Sequence, residues 1–149
     1  MAGYPQLELD RQLCFALYTA SRAVVRAYGP LLEDTGLTYP QYITMLVLWE
    51  DEERPKSVGE LGGRLRLDSG TLTPLLKRLA AMGYVTRSRD ARDERRVLVS
   101  LTAEGLALRD RLASVPEALI ERCQGFEPAD AASLHDQLVA LTAALEVSS

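Results

Sequence analysis

Residues 67–79 read Leu67-Asp68-Ser69-Gly70-Thr71-Leu72-Thr73-Pro74-Leu75-Leu76-Lys77-Arg78-Leu79, and this stretch decides the fold. Leu72, Leu75, Leu76, Leu79 and the following Met82 fall at helical spacing, and Gly83 supplies the stop. Pro74 lacks an amide proton and crowds the preceding turn, so the helix is expected to start between Asp68 and Thr71 with Pro74 near its first turn. The face opposite the leucines carries Ser69, Thr71, Thr73, Lys77 and Arg78. Upstream, Ser57 followed three residues later by Glu60 is a capping-box signature that opens a short helix ending near Leu65. The two helices and the turn through Arg66 to Ser69 read as a helix-turn-helix.

Downstream the period changes from helical to two. Val85, Arg87 and Arg89 alternate with Thr86 and Ser88, and beyond Asp90 to Arg96 a returning strand turns Val97, Val99 and Leu101 inward. A two-stranded wing is expected. The whole of residues 57–102 is a basic island: from Arg64 to Arg96 nine cations stand against four anions, a net +5 in a chain of −4, which leaves −9 for the rest. Such polarity aims one face at phosphates, and the expected partner is double-stranded DNA. Ser69, Thr71 and Thr73 can approach base edges while Lys77 and Arg78 hold the backbone. Serine and threonine discriminate bases weakly, so the operator cannot be read from them. The hairpin tip would bring Arg92 or Arg95 to the minor groove, with Asp93 holding Arg95 by a charge-assisted bond.

The flanks are helical. From Asp10, a candidate N-cap, to Tyr28 the residues Leu13, Phe15, Ala16, Leu17, Ala20, Ala23, Val24 and Ala27 recur at threes and fours until Gly29-Pro30 ends or kinks the helix, which Leu31 and Leu32 can continue for a turn before the breaker Gly36. Thr38 caps a second helix with Tyr39 and Pro40 in its first turn and Ile43, Leu46, Val47 and Trp49 expected behind them in the core. Glu104 to Cys123 reads as one helix kinked at Pro116, Gly125 to Pro128 as a break, and Leu134, Leu138, Leu141 and Leu145 as a narrow coiled-coil stripe. These terminal helices leave apolar faces that a small monomer struggles to cover, which points to a symmetric homodimer. The expected architecture is mainly α with a small β-hairpin wing: a winged helix-turn-helix dimerised through its N- and C-terminal helices. It is one domain over 1–149, with 1–36 and 104–149 as dimerisation helices and 38–102 as the DNA-binding part.

Composition narrows the function classes. The longest apolar stretch, Tyr42 to Trp49, falls far short of the roughly 20 residues that cross a bilayer, so no membrane span is expected. Met1 to Asp10 lacks a basic region followed by an apolar one, which fits a cytoplasmic protein. Cys14 and Cys123 have no second Cys or His nearby, so neither a zinc site nor any other metal or cofactor is expected. His135 is the only histidine, and no Cys/His catalytic pair stands out.

The stretch 67–79, together with Asp93-Glu94-Arg95-Arg96-Val97, resembles the MarR family of dimeric winged-helix repressors. Gln12-Leu13-Cys14-Phe15-Ala16-Leu17-Tyr18 and Leu37-Thr38-Tyr39-Pro40-Gln41-Tyr42 further resemble its OhrR branch, whose members sense organic hydroperoxides through an N-terminal cysteine. The resemblance implies that Cys14 is the redox-sensing thiol, that the hydroxyls of Tyr28 and Tyr39 stabilise its thiolate, and that oxidation releases operator DNA. The dipole of a helix capped by Asp10 would favour the thiolate locally. At 1.5 Å per residue, helix separates Cys14 from Tyr28 by roughly 21 Å, so their contact must cross a dimer interface. Phe15 and Tyr18 are candidates for the peroxide pocket. In the two-cysteine branch a C-terminal cysteine resolves the oxidised thiol, a role that would fall to Cys123; otherwise a small cellular thiol would serve. Alternatives stay open: Cys14 as a small core hydrophobe in a repressor released by a phenolic ligand, or a thiol peroxidase, although the residues ahead of Cys14 lack the peroxiredoxin Pro and Thr/Ser pattern.

Overall fold

Helix α1 spans Leu13–Leu32 in the computed structural model, which describes residues 3–147. Asp10 is not its N-cap. That residue lies in a 3-10 turn, Leu9–Arg11, and the capping position belongs to Gln12, whose side-chain amide donates to the Gln6 and Glu8 carbonyls rather than receiving the helix amides. At Gly29-Pro30 the helix does not end but continues through Leu31 and Leu32, the second of the two expected outcomes, and Gly36 is the expected breaker. Pro30 sits in the last turn, where its missing N–H forfeits a single bond, and the stop comes later at the 3-10 turn Glu33–Thr35 and the left-handed Gly36 (φ +72°). Of α1 only Leu32 is buried, and Leu13, Tyr18, Val24 and Val25 are exposed.

Helix α2, Tyr39–Trp49, opens with a full capping box in which the Thr38 hydroxyl accepts from the Gln41 N–H and the Gln41 carboxamide from the Thr38 N–H. Its inward arc differs from the expected one. Tyr42, Met45, Val47 and Leu48 are buried, Ile43 and Trp49 are half-buried, and Leu46 is 40 % exposed. Residues 42–49 are apolar nearly all round, so hydrophobicity alone cannot say which arc faces in. Buried Thr44 is tolerated because its hydroxyl donates to the Pro40 carbonyl at 2.7 Å.

Helix α3, Val58–Leu65, and helix α4, Ser69–Ala81, form the helix-turn-helix. Ser57 and Glu60 make the expected reciprocal cap, and Arg66 takes the left-handed conformation between the helices. Asp68 caps α4 through a 2.8 Å bond from the Thr71 N–H. Pro74 therefore lies in the second turn, not the first. Its missing N–H leaves the Gly70 carbonyl without its helical donor, and Gly70 is exposed to water, which can replace it. Leu72, Leu75, Leu76 and Leu79 are buried, each contributing about 1.5–3 kcal/mol against exposure.

The wing has three strands rather than two. Strands β2, Val85–Arg89, and β3, Val97–Leu101, pair as expected, but the two-residue strand β1, Lys56–Ser57, adds to the far edge of β3 with Lys56 opposite Val99 and Ser57 opposite Leu98. Buried Lys56 is satisfied by donating to the Leu48 and Asp51 carbonyls, which closes the end of α2. After β3, the expected kinked helix is two helices, α5 over Ala103–Leu112 and α6 over Val115–Arg122, with Pro116 in the first turn of the second.

The chain divides into two compact units, one ending at Ala113 and one beginning at Ser114. The second holds α6 and α7, Pro128–Val147, and within α7 nothing is buried: Leu134, Leu138 and Leu145 are exposed. No described helix is long and apolar enough to cross a membrane.

Candidate nucleic-acid interface and thiol site

With its leucines turned inward, α4 presents Ser69, Thr71, Lys77 and Arg78 to solvent, while Thr73 is half-buried. Ser69, Thr73 and Lys77 follow one another at steps of four, so they form a single stripe along the helix. Thr71 is partly committed, since its hydroxyl donates to the capping carboxylate of Asp68 at 3.3 Å.

The hairpin tip is shaped by its acids. Asp90 Oδ1 accepts the Arg92 N–H at 2.9 Å and its Oδ2 pairs with Arg96 at 3.5 Å, while Asp93 Oδ1 accepts the Arg95 N–H at 3.1 Å. The guanidinium of Arg95 stands 3.8 Å from Asp93 and is 96 % exposed. Asp93 thus fixes the turn rather than gripping the Arg95 side chain by a hydrogen bond, and the arginine head is left reaching into solvent. Arg92 is exposed beside it.

Between the wing and the two helices runs a groove of about 380 Å³ lined by Ser57, Ser69, Thr73, Arg87, Arg95, Arg96 and neighbouring backbone, with no acid among its lining residues. Arg87 was not singled out by its place in the sequence. It is half-buried on β2 opposite Val99, and its Nε–H is sealed from water without an acceptor. Three guanidinium groups and three hydroxyls around one groove suit a phosphate backbone.

The residues expected around the thiol fall into two places. Tyr28 and Tyr39 come together, their rings 4.7 Å apart, and Tyr42 joins them at 5.5 Å and 6.4 Å respectively. Burial, with lesser contributions from the neighbouring Tyr39 and Tyr42, pushes the Tyr28 hydroxyl up to about 12, and burial raises Tyr39 and Tyr42 as well. All three remain protonated donors at neutral pH. Tyr42, 2 % exposed, is not among the expected site residues, and its ring neighbours make it part of this cluster.

Cys14 is the second residue of α1 and is exposed, among exposed Leu13, Phe15 and Tyr18. Along the unbroken helix it lies roughly 21 Å from Tyr28, so one chain does not bring thiol and tyrosines together. The Tyr18 ring carries the Arg22 guanidinium 5.4 Å from its centroid. Cys123 is exposed at the end of α6, in the second unit, where its thiol donates to the Leu119 carbonyl at 3.4 Å. Among the described residues no group of three His, Cys, Asp or Glu side chains is placed to hold a metal.

A capped recognition helix packed on leucines, a basic three-stranded wing and an acid-free groove between them define a winged helix-turn-helix DNA-binding protein. The family model described as transcriptional regulator SarA/Rot matches residues 26–112, and the chain belongs to that family of transcriptional regulators. It is 55 % identical over 111 residues to the HTH-type transcriptional regulator TtmR of Methylorubrum extorquens (strain PA1), covering 74 % of this chain but 56 % of that protein, so it spans little more than half of that relative. It is 44 % identical over 117 residues, 78 % of each chain, to the organic hydroperoxide resistance transcriptional regulator of Bacillus subtilis (strain 168). Among solved structures it resembles reduced AbfR bound to DNA, with TM-score 0.76 and 32 % identity over 94 % of this chain and 96 % of that one; AbfR is a protein of Staphylococcus epidermidis. Disulfide-formed AbfR is also similar, with TM-score 0.60 and 36 % identity over 92 % and 94 % of the two chains.

Proposed function

We propose that this regulator is a homodimeric repressor whose hold on operator DNA is released when an organic hydroperoxide oxidises Cys14. The observation that carries the reading is the exposure of Cys14 in the first turn of α1, beside an exposed apolar surface, while the two tyrosines expected to serve it are paired where the far end of α1 meets the start of α2. A second copy of the chain supplies what one copy lacks: Tyr28 and Tyr39 of the partner subunit as protonated donors to the thiolate. The exposed faces of α1 and α7 are the surfaces such a dimer would cover. The 44 % identity to an organic hydroperoxide resistance regulator, and a similar protein solved both on DNA and as a disulfide, point the same way.

In the chemical step the Cys14 thiolate attacks the distal peroxide oxygen, the O–O bond breaks, and the departing alkoxide takes a proton from solvent to become the alcohol. The sulfur is oxidised by two electrons to a sulfenic acid. Attack by a second thiol then forms a disulfide and releases water. Cys123 of the other subunit fills that role in this reading, with a small cellular thiol as the other source. On DNA, Ser69, Thr71 and Thr73 approach bases, Lys77, Arg78 and Arg92 hold phosphates, and Arg95, on the turn shaped by Asp93, enters the minor groove. The dimer reads a pseudo-palindrome with half-sites about one helical turn apart. Fluorescence anisotropy of wild type and Cys14→Ser with and without cumene hydroperoxide tests the proposal. Only the wild type should leave the DNA, and release of the serine variant would refute it.

A further inference from the structure

Tyr28 and Tyr39 flank a single corner of the chain, and that corner is tied to the base of the wing. It turns through Glu33–Thr35 and Gly36, and Thr35 is buried with its hydroxyl donating to the Leu32 carbonyl at 2.7 Å. The Thr35 carbonyl receives the hydroxyl of Tyr84 at 3.0 Å, from a residue 49 positions away. Tyr84 stands immediately before β2. Its own N–H donates to the Leu79 carbonyl of α4 at 3.1 Å, and its carbonyl accepts the Thr102 N–H at 3.1 Å, where β3 hands over to α5. One residue is therefore bonded to the recognition helix, to the exit of the wing and to the corner that carries both tyrosines. Packing doubles the link, because the sulfur of Met82 lies 3.7 Å from the place a Cβ on Gly36 would occupy.

We propose that Tyr84 is a positioning residue that carries the state of the tyrosine corner to the wing and recognition helix, so that its hydroxyl bond to Thr35 is needed for release from DNA but not for sensing or for binding. The inference rests on Cys14 being the sensor. A change at Tyr28 or Tyr39 shifts the 33–38 corner, and a direct hydrogen bond to the wing base gives that shift a short mechanical route. The bond uses a backbone carbonyl on the Thr35 side, so only the tyrosine can be edited cleanly. Tyr84→Phe removes one hydroxyl and keeps the ring.

The test uses full-length protein, a duplex selected from random sequence by the reduced wild type, and cumene hydroperoxide. Three quantities are measured for wild type and Tyr84→Phe: the rate of Cys14 thiol loss, the Kd of the reduced protein, and the ratio of oxidised to reduced Kd. Expected for the variant are a thiol-loss rate and a reduced Kd within about twofold of wild type, with a Kd ratio smaller by about fivefold or more. Hydrogen exchange adds a second measure: peroxide should alter protection at residues 33–38 and 82–86 together in the wild type, and at 33–38 alone in the variant. A variant that is released as fully as wild type overturns the inference and leaves the sensor intact. A variant that loses affinity while reduced, or oxidises slowly, also overturns it, since Tyr84 would then be a support of the fold. A wild type whose affinity ignores peroxide overturns the sensor reading itself, and this one with it.

Discussion

The ring of Tyr28 lies 4.7 Å from that of Tyr39 at a 39° tilt, which welds the end of α1 to the start of α2 through two phenols whose burial keeps them protonated. If both donate to the partner's Cys14 thiolate, each bond to the charged sulfur contributes about 1.5–3 kcal/mol, and a 1.4 kcal/mol loss is tenfold in an equilibrium or rate. Tyr28→Phe and Tyr39→Phe should each slow Cys14 oxidation by about tenfold in stopped-flow thiol assays. A rate that stays at the wild-type value removes that tyrosine from the site.

The same cluster sets an alkaline limit. The Tyr28 hydroxyl rises from 10.0 to about 12 in the fold, chiefly because burial penalises the phenolate. Since the folded value lies above the unfolded one, its contribution is whole below pH 10 and is lost as the pH climbs toward 12. Denaturant midpoints of wild type should therefore fall across that window more steeply than those of Tyr28→Phe. Parallel curves would mean the hydroxyl is not held as described.

At the acid end the responsible group is Glu60. The Arg54 guanidinium, 2.8 Å away, and then the Ser57 N–H hold its carboxyl down at about 2 from an ordinary 4.5. A depressed carboxyl stabilises above its unfolded value and loses that contribution as the pH falls from 4.5 toward 2. Glu60→Gln should flatten the acid limb of the stability curve. Ser57→Ala, which removes the other half of the cap, should cost about 1 kcal/mol at neutral pH, readable as a shift in denaturant midpoint.

Legibility in the sequence followed the range of the interaction. The helix-turn-helix was readable because Ser57, Glu60, Asp68 and Gly83 are local signals acting within one turn, and the hairpin because two short β-branched runs flank an Asp- and Arg-rich turn. Strand β1 was not: two residues carry no period, and Lys56 and Ser57 become a strand only by pairing with Val99 and Leu98 some forty positions on. The same reason hid the partners of the site. Cys14, Tyr28 and Tyr39 stand out through resemblance, whereas Tyr42, Arg87 and Tyr84 matter through neighbours distant in the chain. Gly29-Pro30 left the end of α1 open between stopping and continuing to Gly36, because a proline in a last helical turn removes little, a matter of position that no dipeptide rule records.

Gly105 is required by a close approach. The Trp49 indole donates to its carbonyl at 2.9 Å, its N–H donates to the Thr102 hydroxyl at 3.0 Å, and a Cβ there would collide with the Tyr84 carbonyl. Helix α5 would have to back away from the base of the wing. Gly105→Ala should destabilise by about 1–3 kcal/mol despite alanine's better helix propensity. Chemical denaturation measures it, and a neutral or stabilising result would show that the helix start shifts freely.

Arg95 and Arg87 separate two ways of meeting DNA, one from the minor groove and one along the phosphate backbone. Arg95 is almost wholly exposed on a turn held by Asp93, whereas Arg87 is half-buried in the groove with an unpartnered Nε–H. Each phosphate charge neutralised, by a cation in the groove or on the backbone, adds about −0.9 to the slope of log K against log salt, so losing one such cation per subunit should shallow a dimer's slope by about 2. Arg95→Ala should weaken DNA binding and shallow that slope while Cys14 oxidises at the wild-type rate. Arg87→Met should shallow the slope to a similar extent yet leave the fold as stable or more so, because it deletes a buried donor that lacks an acceptor. A salt slope indifferent to both substitutions would move the phosphate backbone off the wing and the groove.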